Sequence, residues 1–280
     1  MKRIHIVGSG PRTGTTLIAE MMIACFDIDL HTEHEDSIYT WPPWKGNIFL
    51  TKKPRDILVI EPVLRIMRTL YVIYMVRDPR DMIVSKHKKD PERYWANLQF
   101  WKTYTSYGRR LQSHPRFVTV RYEDLVTQPD QIQDYLMKRM PFLIKKASFN
   151  SYHKISQPSK DSMIALGGVR PASSSSIGNW HKYLPRVAGQ LQLHGSISED
   201  LVAYGYEQDD AWEKELEGIT PELRASHFPD IFTVKKLKRW DRGKYVKAIG
   251  VVVGQYRVAQ LVRNLFKPIC RKGGSPISTA

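Results

Sequence analysis

The sequence predicts an α/β protein with a central parallel sheet and helices on both faces. Three observations carry that expectation. Residues 4–7, 71–76 and 117–122 are short apolar runs of the kind that form strands buried on both sides. Each passes through a polar turn into a segment with helical apolar spacing, at residues 17–24, 82–85 and 129–137. Strand, loop and helix repeated in this way build a parallel sheet covered by its own crossover helices.

The first unit is the most informative. Its strand runs into Gly8, Ser9, Gly10, Pro11, Arg12, Thr13, Gly14, Thr15 and Thr16, and a helix follows. A small-residue loop between a strand and a helix N-terminus suits a phosphate. Free N–H groups point into the loop, and the helix dipole adds partial positive charge. Gly10 and Gly14 let the backbone approach an anion closely. The loop departs from the Walker A pattern, which spaces its glycines by four residues and follows them with Lys-Ser/Thr. Here three residues separate Gly10 from Gly14, Thr15 stands in the lysine's place, and the cation is Arg12. The bland alternative is a Gly/Thr-rich turn that only caps a helix.

The second unit delivers Arg77 at the C-terminal end of its strand, followed by Asp78, Pro79, Arg80 and Asp81. Pro79 fits a helix opening, and Ser85 falls about one turn later. A guanidinium and a hydroxyl so placed can hold a phosphate. Between these units, residues 26–30 read as a helix exit into a short strand. His31, Glu33, His34, Glu35 and Asp36 then form a polar loop at a strand's carboxyl end, where ligands gather in open α/β sheets. Trp41 and Trp44 offer aromatic surface, either for a substrate cleft or for packing a loop on the core. Residues 92–111 read as one helix whose aromatic stripe belongs to the core. Residues 154–176 read as a long polar loop containing Arg170. Residues 177–184 and 198–204 read as short helices.

Composition bounds the rest. The chain has 280 residues and a hydrophobic fraction of 42%, enough for one large domain with an appendage. Its two cysteines, Cys25 and Cys270, make neither a disulfide framework nor a metal spacing. The first apolar run is too short for a signal peptide and no run approaches a membrane span, so the expected location is the cytoplasm. The net charge is +15, and residues 214–280 hold fourteen Lys/Arg against five Asp/Glu. Within them, residues 245–266 suit a basic amphipathic helix, docked on its own domain or lying at the inner membrane surface.

Three motifs in order resemble the sulfotransferase family that uses 3′-phosphoadenosine 5′-phosphosulfate (PAPS). Residues 11–16 resemble its 5′-phosphosulfate loop, residues 76–81 with Ser85 its 3′-phosphate site, and residues 120–125 the segment after its next core strand. Lys53-Pro54 is similar to a Lys-x-Pro element of bacterial members. Residues 177–184 are similar to a late segment that closes over the cofactor. The resemblance spans residues 1–213, leaving 214–280 as a basic, helical C-terminal extension, and implies a P-loop NTPase-like fold. It implies that Arg12, Thr13, Gly14, Thr15 and Thr16 meet the 5′-phosphosulfate, that Arg77 and Ser85 bind the 3′-phosphate, and that Tyr122 approaches the adenine. Arg170 is the candidate second cation for the 3′-phosphate. A catalytic base is sought among His31, Glu33, His34 and Glu35, with Glu33 favoured slightly over Glu35.

The implied activity is sulfuryl transfer from PAPS to a hydroxyl or amine, with 3′,5′-bisphosphorylated adenosine (PAP) as product and no metal. The acceptor is left open among small molecules, carbohydrates, lipids and peptides, and no nucleic-acid motif is visible. Two alternatives stand beside this reading. One is a P-loop-type nucleotide kinase, disfavoured by the displaced lysine. The other is a non-catalytic anion-binding or membrane-surface protein that works through the basic tail.

Overall fold

The computed structural model describes residues 1–40, 43, 45–87, 90–226 and 234–255. Its strands are β1 (Lys2–Gly8), β2 (Leu30–His31), β3 (Ile48–Lys52), β4 (Leu70–Val76), β5 (Lys86–His87), β6 (Asp90–Tyr94) and β7 (Phe117–Arg121). The first helices are α1 (Thr15–Cys25), α2 (Ile60–Ile66), α3 (Pro79–Ile83), α4 (Leu98–Arg109), α5 (Tyr122–Thr127) and α6 (Pro129–Arg139). After them come α7 (Tyr152–Ile155), α8 (Lys160–Leu166), α9 (Leu184–His194), α10 (Ser198–Ala203) and α11 (Val234–Gln255).

Five strands form one parallel sheet in the order β2-β3-β1-β4-β7. The chain goes from β1 to the edge strand β2, returns inward to β3 beside β1, then crosses β1 to place β4 on the other side. That reversal opens a crevice at the carboxyl ends of β1 and β4, where open α/β sheets bind ligands. Side-chain alternation divides the core in two. Val72, Tyr74 and Val76 of β4 join Val7 and residues of α2, α3, α4 and α9 on one face. Ile73 and Met75 join Ile4, Ile6 and residues of α1 and α6 on the other. A strand buried on both faces has no place for alternating polar residues, which is why β4 reads as an unbroken apolar run.

Several expectations need correction. Residues 92–111 do not make one helix. Asp90–Tyr94 pairs with Lys86–His87 as an antiparallel hairpin, and α4 starts only after Asn97, whose side-chain oxygen accepts from the Phe100 N–H at 3.1 Å. That cap sets the helix start. Trp101, Tyr104 and Tyr107 are buried, as the core stripe requires. The segment expected as a long loop carries α8, capped by the Ser159 hydroxyl at one end and by left-handed Gly167 at the other. Residues 177–184 hold a 3₁₀ turn, Asn179–Tyr183, that runs into α9 with Pro185 in its first turn. Ser85 lies just past α3 rather than on it.

The segment beyond residue 213 touches the domain at several places, among them Glu215 against His181 at 2.9 Å and the Glu222 N–H on the Pro185 carbonyl at 2.7 Å. Arg186 donates to the Arg224 carbonyl at 2.6 Å and to Ser226 Oγ at 2.7 Å. On α11, Ala248 is fully buried, and the Lys244 ammonium lies 3.4 Å from the Glu61 carboxylate of α2. The outer part of the expected amphipathic helix, residues 256–266, lies outside the described residues, as do Trp41 and Trp44.

Candidate active site

Two strand ends frame the site. The loop after β1 closes on itself, because Thr13 Oγ1 donates to the Gly10 carbonyl at 2.9 Å. It reaches α1 through two residues in the left-handed region, Arg12 (φ 64°) and Gly14 (φ 83°). A Cβ on Gly14 would stand 2.6 Å from the Tyr122 ring, so both backbone and contact demand glycine there. Arg12 carries a Cβ in this conformation at a cost of about 1–2 kcal/mol. Strain of that kind concentrates where a side chain must be aimed.

Arg77 leaves the end of β4 and ties the frame together. Its Nη1 donates to the Arg12 carbonyl at 3.0 Å and its Nη2 to the Ser176 carbonyl at 2.9 Å. Its Nε is buried without a hydrogen-bond partner among the described residues. The guanidinium lies 4.4 Å from the centre of the Tyr122 ring, a cation–π contact. Tyr122 Oη in turn shares a 2.9 Å hydrogen bond with Ser176 Oγ. The Arg12 side chain reaches across to Ser85, donating from Nε to Oγ at 3.3 Å. It keeps part of its surface in solvent, yet desolvation by the cleft wall and then the Arg77 cation lower its pKa. Two guanidinium groups that raise one another's electrostatic energy favour an anion between them.

These groups face one cavity of about 1090 Å³. Among the residues expected from sequence, Arg12, Gly14, Thr15, Thr16, Glu35, Arg77, Ser85, Tyr122 and Arg170 line it, with His34. Thr13 and Glu33 are not among the lining residues; Thr13 is buried in the loop's internal hydrogen bond. Glu33 is exposed, and its carbonyl accepts from Ser159 Oγ at 2.6 Å. The favoured base in the sequence thus sits outside the cavity, and its neighbour Glu35 is on the wall. His31 is exposed as well, with its ring turned to the Thr32 carbonyl at 3.5 Å. Burial and then the Lys52 cation lower the His34 pKa, which favours its neutral form. Arg170 rests its Nη1 3.4 Å from the Gly167 carbonyl.

Sequence reasoning missed Lys52. It ends β3, is 3% exposed, and donates to Thr16 Oγ1 at 2.9 Å, with Glu35 Oε1 3.8 Å away. Burial is the main cause lowering its pKa, opposed by Glu35 and Glu20. The available signal was a lysine closing an apolar strand at the carboxyl edge of the sheet.

The run after β4 divides into site and scaffold. Arg77 faces the cavity, whereas Arg80 turns inward, pairing with Asp78 at 2.8 Å and Glu207 at 2.6 Å. It lies 4.3 Å from the Trp180 ring and 4.8 Å from the Trp212 ring. Asp81 accepts from the Gly178 N–H at 2.8 Å and the Trp180 N–H at 3.0 Å. Those two hydrogen bonds hold the segment that bears Ser176 against Arg77. Glu123 accepts from the Asp78 N–H at 3.0 Å and from Tyr206 Oη at 3.1 Å, which locks β7 to the same turn.

No protein-family model matches this chain, and no curated protein does. Among solved structures the chain is similar to retinol dehydratase, in a structure described as a complex with androsterone and the inactive cofactor PAP. Identity is 12%, the match covers 82% of this chain and 84% of that chain, and the TM-score is 0.36. A likeness of that size decides nothing by itself. Among the described residues, no group of three or more His, Cys, Asp or Glu is placed to hold a metal ion. No helix among them is long and apolar enough to cross a membrane.

Proposed function

We propose that the cavity binds a bisphosphorylated adenine nucleotide and that the protein is a PAPS-dependent sulfotransferase acting on a hydroxyl or amine. The observation that carries this reading is the union of Arg12 and Arg77 in one cavity, joined by a 3.0 Å hydrogen bond between the two strand ends. The residues present fit a polyanion. The loop has no room for a Cβ at Gly14, and among the described residues the Arg77 Nε is a buried donor without a partner and seven Lys/Arg against three Asp/Glu line the wall.

Arg12, the hydroxyls of Thr15 and Thr16 and the backbone N–H groups of Thr13, Gly14, Thr15 and Thr16 would hold the 5′-phosphosulfate. Arg77, Ser85 and Arg170 would hold the 3′-phosphate, and Tyr122 would meet the adenine. When bound, PAPS supplies a sulfuryl group whose bond to a phosphate oxygen breaks, leaving its electron pair there, as the acceptor oxygen or nitrogen bonds to sulfur. Glu35 takes the acceptor's proton. Lys52 holds that base against the loop, through its contacts with Thr16 and Glu35. Arg12 and the α1 N-terminus stabilise the negative charge left on the nucleotide, as preorganised donors do.

The test is release of PAP from radiolabelled PAPS in the presence of an acceptor mixture. Turnover is expected for the native chain and lost in Arg12→Ala. Native-like release by Arg12→Ala would remove the loop from the mechanism.

A further inference from the structure

The cavity wall beyond the nucleotide groups has its own chemistry. Ser85, which accepts from Arg12, is followed by Lys86, and the Ser85 carbonyl accepts from the Trp95 N–H at 2.8 Å. Lys86 and Trp95 therefore enter the cavity beside the group that meets Arg12. The Lys86 ammonium is pre-oriented over the Tyr94 ring, 3.9 Å from its centre. Lys53 follows Lys52 at the end of β3 and lines the same cavity, half-buried. Among the described residues, no carboxylate forms an ion pair with Lys53 or Lys86. Phe100 completes an aromatic face with Trp95, its ring backed by that of buried Tyr104 at 5.2 Å. Glu35, the proposed base, lines the same cavity.

We infer that the acceptor is a ring-bearing organic anion, its acid group held by Lys53 and Lys86 and its ring laid against Trp95 and Phe100. The inference rests on the sulfotransferase reading and names its acceptor class. A neutral acceptor would cover two ammonium groups without pairing them, which costs desolvation and returns nothing. An acid group converts the same burial into charge-assisted hydrogen bonds. Flat aromatic surface adds affinity for a sugar or aryl face, and either source satisfies the chemistry.

Matched pairs separate the sources. The sugar arm compares para-nitrophenyl β-glucuronide with the β-glucoside. The aryl arm compares para-hydroxybenzoate with para-hydroxybenzyl alcohol. Binding to the full chain is measured by equilibrium dialysis with PAP present, and transfer is measured from labelled PAPS. The acid of at least one pair is expected to bind about tenfold or more tightly than its neutral partner. Lys53→Gln and Lys86→Gln are each expected to erase that preference while the PAP-induced thermal shift persists. Equal or weaker binding of both acids, failure of both to bind, or a preference that survives both substitutions overturns the inference. Absence of any PAP shift in the native chain overturns the parent reading as well, so the two failures are distinct.

Discussion

At the scale of single residues, the site depends on which charges point inward. Glu33 and Glu35 are two positions apart, yet only Glu35 lines the cavity, 3.8 Å from Lys52. Glu35→Gln is expected to reduce kcat by about 10²-fold or more while PAP affinity stays native, and Glu33→Gln to change neither. Steady-state kinetics with PAP titration checks both, and the opposite ranking would return the role to Glu33. Arg77 contributes in a different way. Its proposed phosphate contact exists before and after transfer, so Arg77→Ala is expected to weaken PAP binding by about tenfold or more and to lower kcat less. Calorimetric titration with PAP reads the first effect, and unchanged affinity would remove Arg77 from the nucleotide site.

At the scale of elements, the loop after β1 and the turn after β4 work as one unit through Tyr122, which packs on Gly14 and under Arg77. Gly14→Ala is expected to cost about 1–2 kcal/mol from the left-handed backbone alone, with a further penalty from the ring. Denaturant unfolding measures this, and a native midpoint with native PAP binding would mean that the loop tolerates a Cβ. Much of this unit was legible in the sequence, because its signals are local. Glycines sit between a strand and a helix, an arginine ends an apolar run, and Pro79 starts a helix. Lys52 was not legible as a buried group, since its burial comes from α1 and the Glu35 loop, which are distant in sequence. The hairpin at Lys86 was missed for a related reason. Tyr94 and Trp95 fit a helical stripe equally well until Asn97 is seen to cap α4. The helix α8 was hidden by polar composition, although Ser159 and Gly167 marked its two ends.

At the scale of the whole molecule, buried histidines tie stability to pH. His5 on β1 is fully buried, with Nδ1 2.6 Å from Thr51 Oγ1 and Nε2 3.3 Å from the Asp56 carboxylate. Burial lowers its pKa below the ordinary 6.5, outweighing Asp56, and burial also lowers those of His34, His114 and His194. The unfolded chain then binds protons that the folded chain resists. The stability held above pH 6.5 is therefore lost as pH falls below that value toward the lowered folded-state pKa values. Tm is expected to fall between about pH 7.5 and about pH 5.5, by about 2–4 °C for each kcal/mol lost. A flat or rising Tm over that window would contradict the assignment of these rings as neutral.

The switch-point crevice brings the whole molecule back to its two arginines, which meet only because β1 and β4 are neighbours in the sheet. The most direct measurement is a thermal-shift comparison of the native chain with PAP and with ATP–Mg²⁺. A PAP-induced rise in Tm that exceeds the ATP–Mg²⁺ effect and disappears in Arg77→Ala is the expected result. No response to PAP, or a larger response to ATP–Mg²⁺, would contradict the proposed nucleotide and the chemistry built on it.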